Sequence, residues 1–190
     1  EQLSLKGVPS VLMDLKGDLS GLAKAGESSD FILKRSTTIG VEYTPQGLPV
    51  ELMSISNEKG VRLKATVSEF GPVLLSQILE LNDTQQGVVA FVFRYCDIQM
   101  LPLLDLKDFK RVLQFVSNEG KEAITKEFGQ VSSASVNTIM RKIIELEQQG
   151  ADRFFGERSF DVDDFVRIKD GKGVISIIRL TDIQSKPKLF

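Results

Sequence analysis

Histidine is absent from all 190 residues, and cysteine occurs once. The first absence excludes Ser-His-Asp and Cys-His nucleophilic catalysis, imidazole acid-base chemistry and the usual zinc sites. The single cysteine, Cys96, excludes an internal disulfide and fits a reducing, cytoplasmic setting. No apolar run approaches a membrane span, and the first residues lack the basic-then-apolar pattern of a signal peptide. An excess of positive charge is also missing. Lys and Arg number 24 against 26 Asp and Glu, for a net charge of −2. With a pI near 5.4, this balance argues against a basic nucleic-acid footprint.

What remains is globular in composition, 42% hydrophobic and 26% charged, at a length that suits one domain or one domain with an insertion. EQLSLK (1–6) reads as the tail of a helix stopped by Gly7. VPSVLMD (8–14) is a near-continuous apolar run, the pattern of a strand buried on both faces. Ser29 is placed to begin a short helix, and Pro45 and Pro49 mark an extended loop. VELMSI (50–55) and the alternating VRLKATV (61–67) predict two strands joined by NEKG.

After Gly71-Pro72 the period becomes helical. Asp83 with Gln86, and Asp105 with Asp108, have the spacing of helix starts. The longest helix is expected over 133–149, with an apolar stripe of Val136, Ile139, Met140, Ile143, Ile144 and Leu146. Residues 170–173 form a turn before the apolar strand VISIIRL (174–180), and SKPKLF closes as a loop. Strands at both ends and helices between them predict an α/β layer, 1–70 with 169–190, interrupted by a helical insertion over 71–168.

The stretch with most chemical content is VLMDLKGDLSGL (11–22). An apolar strand ending in carboxylates and glycine can present charge to a phosphate or a metal. It can equally run into a loop whose aspartates satisfy backbone amides. A haloacid-dehalogenase-type phosphatase would need Asp-x-Asp-Gly, and Lys16 stands where its second aspartate belongs. Asp14 to Gly17 fits the Asp-x-x-Gly of small GTPases, but no guanine-reading Asn-Lys-x-Asp accompanies it.

The wider chain adds a resemblance. VPSVLMDLKGDLSGLAKAG, VRLKATVSEFGPVLLSQILELNDTQQGVV, LLDLKDFKRVLQFV, VSSASVNTIMRKIIELEQQGADRFFGE and GKGVISI…PKLF occur in that order. Together they resemble the YjgR-type, HerA-like ATPases of the FtsK/HerA superfamily over nearly the whole chain. The resemblance implies a partial RecA-like P-loop NTPase sheet carrying a mostly helical insertion. Such a core takes ATP and Mg2+ on a glycine-rich loop ending in Gly-Lys-Ser/Thr and on a strand ending in Asp-Glu. No Gly-Lys-Ser/Thr occurs here. In the family the phosphate loop falls before Glu1 and the Asp-Glu strand after Phe190, so the chain reads as an interior segment, inactive alone.

On that resemblance, Asp14, Lys16, Gly17 and Asp18 border the nucleotide site; Asp14 is the candidate magnesium ligand, against a supporting or subunit-contact role beside the metal and a purely structural loop. Catalytic residues are expected outside the chain. Arg62, Arg94, Arg141, Arg153 and Arg158 are candidates to act in trans on a neighbouring subunit's nucleotide, against the plainer reading of surface ion pairs. The phenylalanines at 91, 93, 109, 115, 128, 154 and 155 read as core packing, and Cys96 as an inert buried thiol. A homo-oligomeric ring and action on DNA follow by analogy with the superfamily only. The rival expectation is a non-enzymatic helical interaction module. A cut sheet would also expose an apolar face and edge, which predicts self-association through the α/β part.

Overall fold

The computed structural model describes residues 1–128 and 130–186, without the side chains of 127 and 128. The chain forms two compact units, one of Glu1–Val61 with Asp161–Thr181, the other of Arg62–Phe160 with the residues from Asp182. The helical part begins at the Thr66 cap of α3, ahead of the glycine-proline pair.

The first unit is built on a parallel sheet. Its elements are α1 (Gln2–Leu5), β1 (Ser10–Asp14), a 3-10 turn at Leu19–Ala23, α2 (Asp30–Thr38) and β2 (Val50–Ser54). The chain leaves it through β3 (Val61–Arg62) and returns for the hairpin β4 (Ile168–Lys169) and β5 (Lys172–Gly173), then β6 (Ile175–Arg179). The sheet order is β1-β6-β2-β3, and β6 runs parallel to both β1 and β2. Register places Ser10, Ile175 and Val50 in one row and Leu12, Ile177 and Leu52 two positions on. Leu5, Leu19, Leu22 and Leu48 pack over these rows, burying Ile177 completely.

The expectation that β1 is buried on both faces is corrected. β1 stands at the end of the strand order, with Val11 48% and Met13 71% exposed. A continuous apolar run cannot distinguish a central strand from an edge strand, because position in the sheet is a tertiary property. Glycine is obligatory at 173, where a Cβ would come within 2.1 Å of the Val8 carbonyl carbon. The Ser4 hydroxyl donates to the Gly173 carbonyl at 2.6 Å, fixing α1 against β5.

The second unit contains α3 (Val67–Ile78), α4 (Asp83–Ile98), α5 (Leu106–Ser117), α6 (Lys121–Phe128) and α7 (Ser133–Gln148). The strand expected over 61–67 shrinks to Val61–Arg62. Thr66 instead forms a capping box with Glu69, each side chain bonding the other's backbone amide. One helical turn follows before Gly71 (φ 79°) breaks it and Pro72 restarts it. The start of α4 is corrected by one residue: Asn82 caps it with Gln85, while Gln86 donates to the Leu81 carbonyl at 2.8 Å. Asp105 and Asp108 do form a capping box at α5. The sequence reading did not anticipate α6.

The core of this unit draws on every one of its helices, through residues such as Leu75, Val89, Phe109, Ile124 and Ile143. Phe93, Phe109 and Phe155 are buried, Phe91 and Phe154 pack partly buried against them, and Phe115 is 38% exposed. The Phe70 ring meets Phe155 edge-on at 5.2 Å. Of the α7 stripe, Val136, Ile139, Ile143 and Leu146 are buried, Met140 packs partly buried, and Ile144 is 45% exposed. The Phe128 side chain and the loop PKLF lie outside the described residues.

Candidate functional site

Two rows, apolar except for Ser10, cross the parallel sheet on one face, and the next row toward the C-terminal strand ends is polar. Asp14 ends β1, Arg179 ends β6 and Ser54 ends β2, and all three share one register position. In open α/β sheets the C-terminal ends of the strands are where ligands are bound.

Asp14 is 1% exposed. Its Oδ1 accepts the Gly17 amide at 2.7 Å, so the carboxylate closes the turn that leaves the strand. Gly17 has φ +83°, and a Cβ there would sit 3.2 Å from Cγ2 of Thr181. A side chain at 17 would be strained and crowded at once. The Asp14 carbonyl accepts the Leu180 amide at 2.9 Å. The second carboxylate oxygen, Oδ2, is buried and has no partner.

Arg179 is held from the other side. Its Nη2 meets Glu58 Oε2 at 2.8 Å, and its Nη1 donates to the Lys59 carbonyl at 3.3 Å. The Thr181 hydroxyl donates to the other oxygen of Glu58. The Arg179 Nε is buried without a partner. Ser54 is fully buried, and its hydroxyl accepts the Ser56 amide at 3.1 Å. The loop after β2 is thereby tied to the end of β6, and the loop after β1 packs against the same end.

Lys16 and Asp18 are exposed. Asp18 stands at the start of the 3-10 turn without a side-chain cap bond, and no ion pair joins it to Lys16. It lines a cavity of about 330 Å3 together with Leu22, Tyr43 and Gln46. The structure therefore brings Asp14 and Gly17 into one hydrogen-bonded turn and leaves Lys16 and Asp18 at the solvent boundary. Among the described residues no group of three or more Asp, Glu, Cys or His is placed to hold a metal ion.

Arg179, Glu58, Thr181 and Ser54 escaped the sequence reading. A usable signal existed: VISIIR (174–179) ends in an arginine as VLMD ends in an aspartate, and parallel strands align such ends. The five arginines considered for action in trans all belong to the helical unit. Arg158 pairs with Glu69 at 3.3 Å, and Arg141 donates to Thr138 within α7 at 3.2 Å. Arg94 and Arg153 are exposed, and Arg62 is half-buried. Cys96 is 2% exposed within α4. Burial, with Asp97 and Asp108 adding, pushes its thiol up to about 11, so it stays protonated and unreactive at neutral pH.

No helix among the described residues is long and apolar enough to cross a membrane. A search of curated proteins returns no match. The family model described as helicase HerA-like C-terminal matches residues 1–190, and the chain belongs to that family.

Proposed function

We propose that the chain is an interior segment of an ATP-hydrolysing, HerA-like P-loop protein, contributing the rim of the nucleotide site. The observation that carries this reading is the polar row Asp14, Arg179 and Ser54 at the C-terminal ends of parallel strands. Family membership over the full 190 residues supports it. On this reading the phosphate-binding loop and the magnesium-holding Asp-Glu strand belong to flanking sequence. Asp14, Lys16, Gly17 and Asp18 border the site of the ATP and Mg2+ those segments bind, with Asp14 acting beside the magnesium site and not as a direct ligand. Ring assembly and movement of DNA belong to the same reading by analogy with the superfamily.

The test compares this chain with a longer one carrying both flanking motifs. Steady-state ATP turnover is expected from the longer chain and none from the shorter. Absence of both ATP affinity and turnover in the longer chain would sink the ATPase reading. Asp14→Asn in that longer chain is expected to lower turnover without loss of fold. Unchanged turnover would return DLKGD to the structural loops.

A second reading, a protein-interaction module, is favoured by one feature of the helical unit. An open groove of about 740 Å3 is lined by Tyr95, Leu101, Val112 and Phe115 together with Arg111 and Glu119. Met100 beside it is 87% exposed. If this reading holds, Leu101→Asp abolishes partner capture and leaves ATP turnover of the longer chain intact.

A further inference from the structure

We propose that Asp14 and Arg179 together hold one neutral hydroxyl oxygen, a bound water in the free protein, and that Arg179 bars a bare divalent cation from Asp14. The two residues are register partners on adjacent parallel strands and project from the same face. Neighbouring strands stand about 4.8 Å apart, so the side chains begin side by side. Each carries one buried, unbonded atom, Oδ2 on Asp14 and Nε on Arg179. Buried polar atoms of charged groups are costly to leave unsatisfied, and water is their usual partner where protein supplies none.

Direct pairing would close the gap, but both side chains are already committed. Asp14 is anchored through Oδ1 to the Gly17 amide, and Arg179 through both terminal nitrogens to Glu58 and the Lys59 carbonyl. Neither can turn toward the other without giving up those bonds. What remains is an unbonded acceptor on one strand end and an unbonded donor on its register partner. An O–H group suits both at once, donating to Oδ2 and accepting from Nε. A phosphate oxygen would suit Nε but meet the carboxylate. A magnesium ion would suit Oδ2 but meet the guanidinium, and among the described residues no group of three or more Asp, Glu, Cys or His is placed to complete its oxygen shell. Arg179 thus sets what Asp14 can bind. The inference concerns residues within this chain alone and holds or fails without nucleotide, separately from the ATPase reading.

The test is a titration of the chain with millimolar MgCl2 at constant ionic strength, following the Gly17 amide resonance, which reports on the Asp14 carboxylate. The wild-type resonance is expected to stay in place. Arg179→Gln is expected to give a saturable shift, a gain in Mg2+ affinity of about tenfold or more, which Asp14→Asn then removes. A wild-type shift that depends on Asp14, or a folded Arg179→Gln chain indifferent to Mg2+, overturns the proposal. Should Arg179→Gln fail to fold, a high-resolution crystal structure of the wild-type chain decides. An ordered water within hydrogen-bond distance of both Oδ2 and Nε supports the site, and an empty gap overturns it.

Discussion

The two units bury apolar surface on different scales. Among the described residues the helical unit gathers twenty-one buried apolar residues into one cluster, while the sheet unit's cluster holds three, Leu48, Ile175 and Ile177. The helical unit places polar side chains in caps at Thr66, Asn82 and Asp105 and, of its polar residues among those described, buries only serines, Ser76 and Ser135. The sheet unit buries a carboxylate as well, with Asp14, Ser54 and Ser176 all at or below 1% exposure. The contrast separates a part organised for stability from a part organised around polar strand ends. Burying polar groups costs free energy that apolar packing must offset, and the sheet unit has little apolar packing to offset it.

The sharpest way to break this comparison is to remove a core side chain from each unit. Phe109→Ala is expected to cost roughly 3–5 kcal/mol in denaturant unfolding of the helical unit. Amide exchange should then accelerate in α5 and α7 while β6 keeps its protection. Ile177→Ala should do the reverse. Acceleration of both regions by either variant would show that the units do not differ as described.

Alkaline pH is the next lever. The Cys96 thiol titrates near 11 in the folded chain, against an ordinary value of 9.0. Above pH 9 the unfolded chain therefore loses this proton first, and stability falls until the folded thiol also ionises near 11. The loss is on the order of 2 kcal/mol. It should appear as a steeper alkaline decline in the wild type than in Cys96→Ala. Matching declines would mean the thiol is not held protonated.

Asp105→Ala should cost about 1 kcal/mol, because the α5 amides of Lys107 and Asp108 lose their acceptor. Replacement by Asn should restore most of it, and an equal loss with Asn would argue that charge, not capping, matters there. The smallest stability effect is expected for Met13→Lys, within about 0.5 kcal/mol, since Met13 is 71% exposed on β1. Its effect should fall on association instead. Sedimentation of the wild type should show concentration-dependent self-association that the lysine abolishes. A wild type that stays monomeric at high concentration removes the open sheet face as an interaction surface.

How far each element could be read follows from the range of the interactions that define it. The α5 start, the helix from Ser29 and the turn at Asp170-Gly171 rest on contacts a few residues apart. The start of α3 was equally local, and Thr-x-x-Glu at 66–69 is a capping box in plain letters. The period-two alternation of VRLKATV masked it, because the same residues satisfy both patterns. At α4, Asn82 with Gln85 and Asp83 with Gln86 offer the same spacing one residue apart. The structure uses the first, leaving Asp83 in the first turn, where its charge suits the helix dipole.

For the candidate site the division is sharper. Asp14 and Gly17 were recognisable from VLMDLKGD, since a carboxylate capping its own turn is a short-range event. Their partners were not. Arg179 lies 165 positions from Asp14 along the chain, and Glu58 reaches Arg179 from a loop of a third strand. The sequence by itself determined the α5 cap, the helix from Ser29, the apolar strands and the family to which the chain belongs. Only tertiary structure decided that β1 ends the strand order among the described residues, that three strand ends form one polar row, and that an aspartate and an arginine share it unbonded. Strand order and register arise from packing between segments far apart in the chain, and no local pattern encodes them.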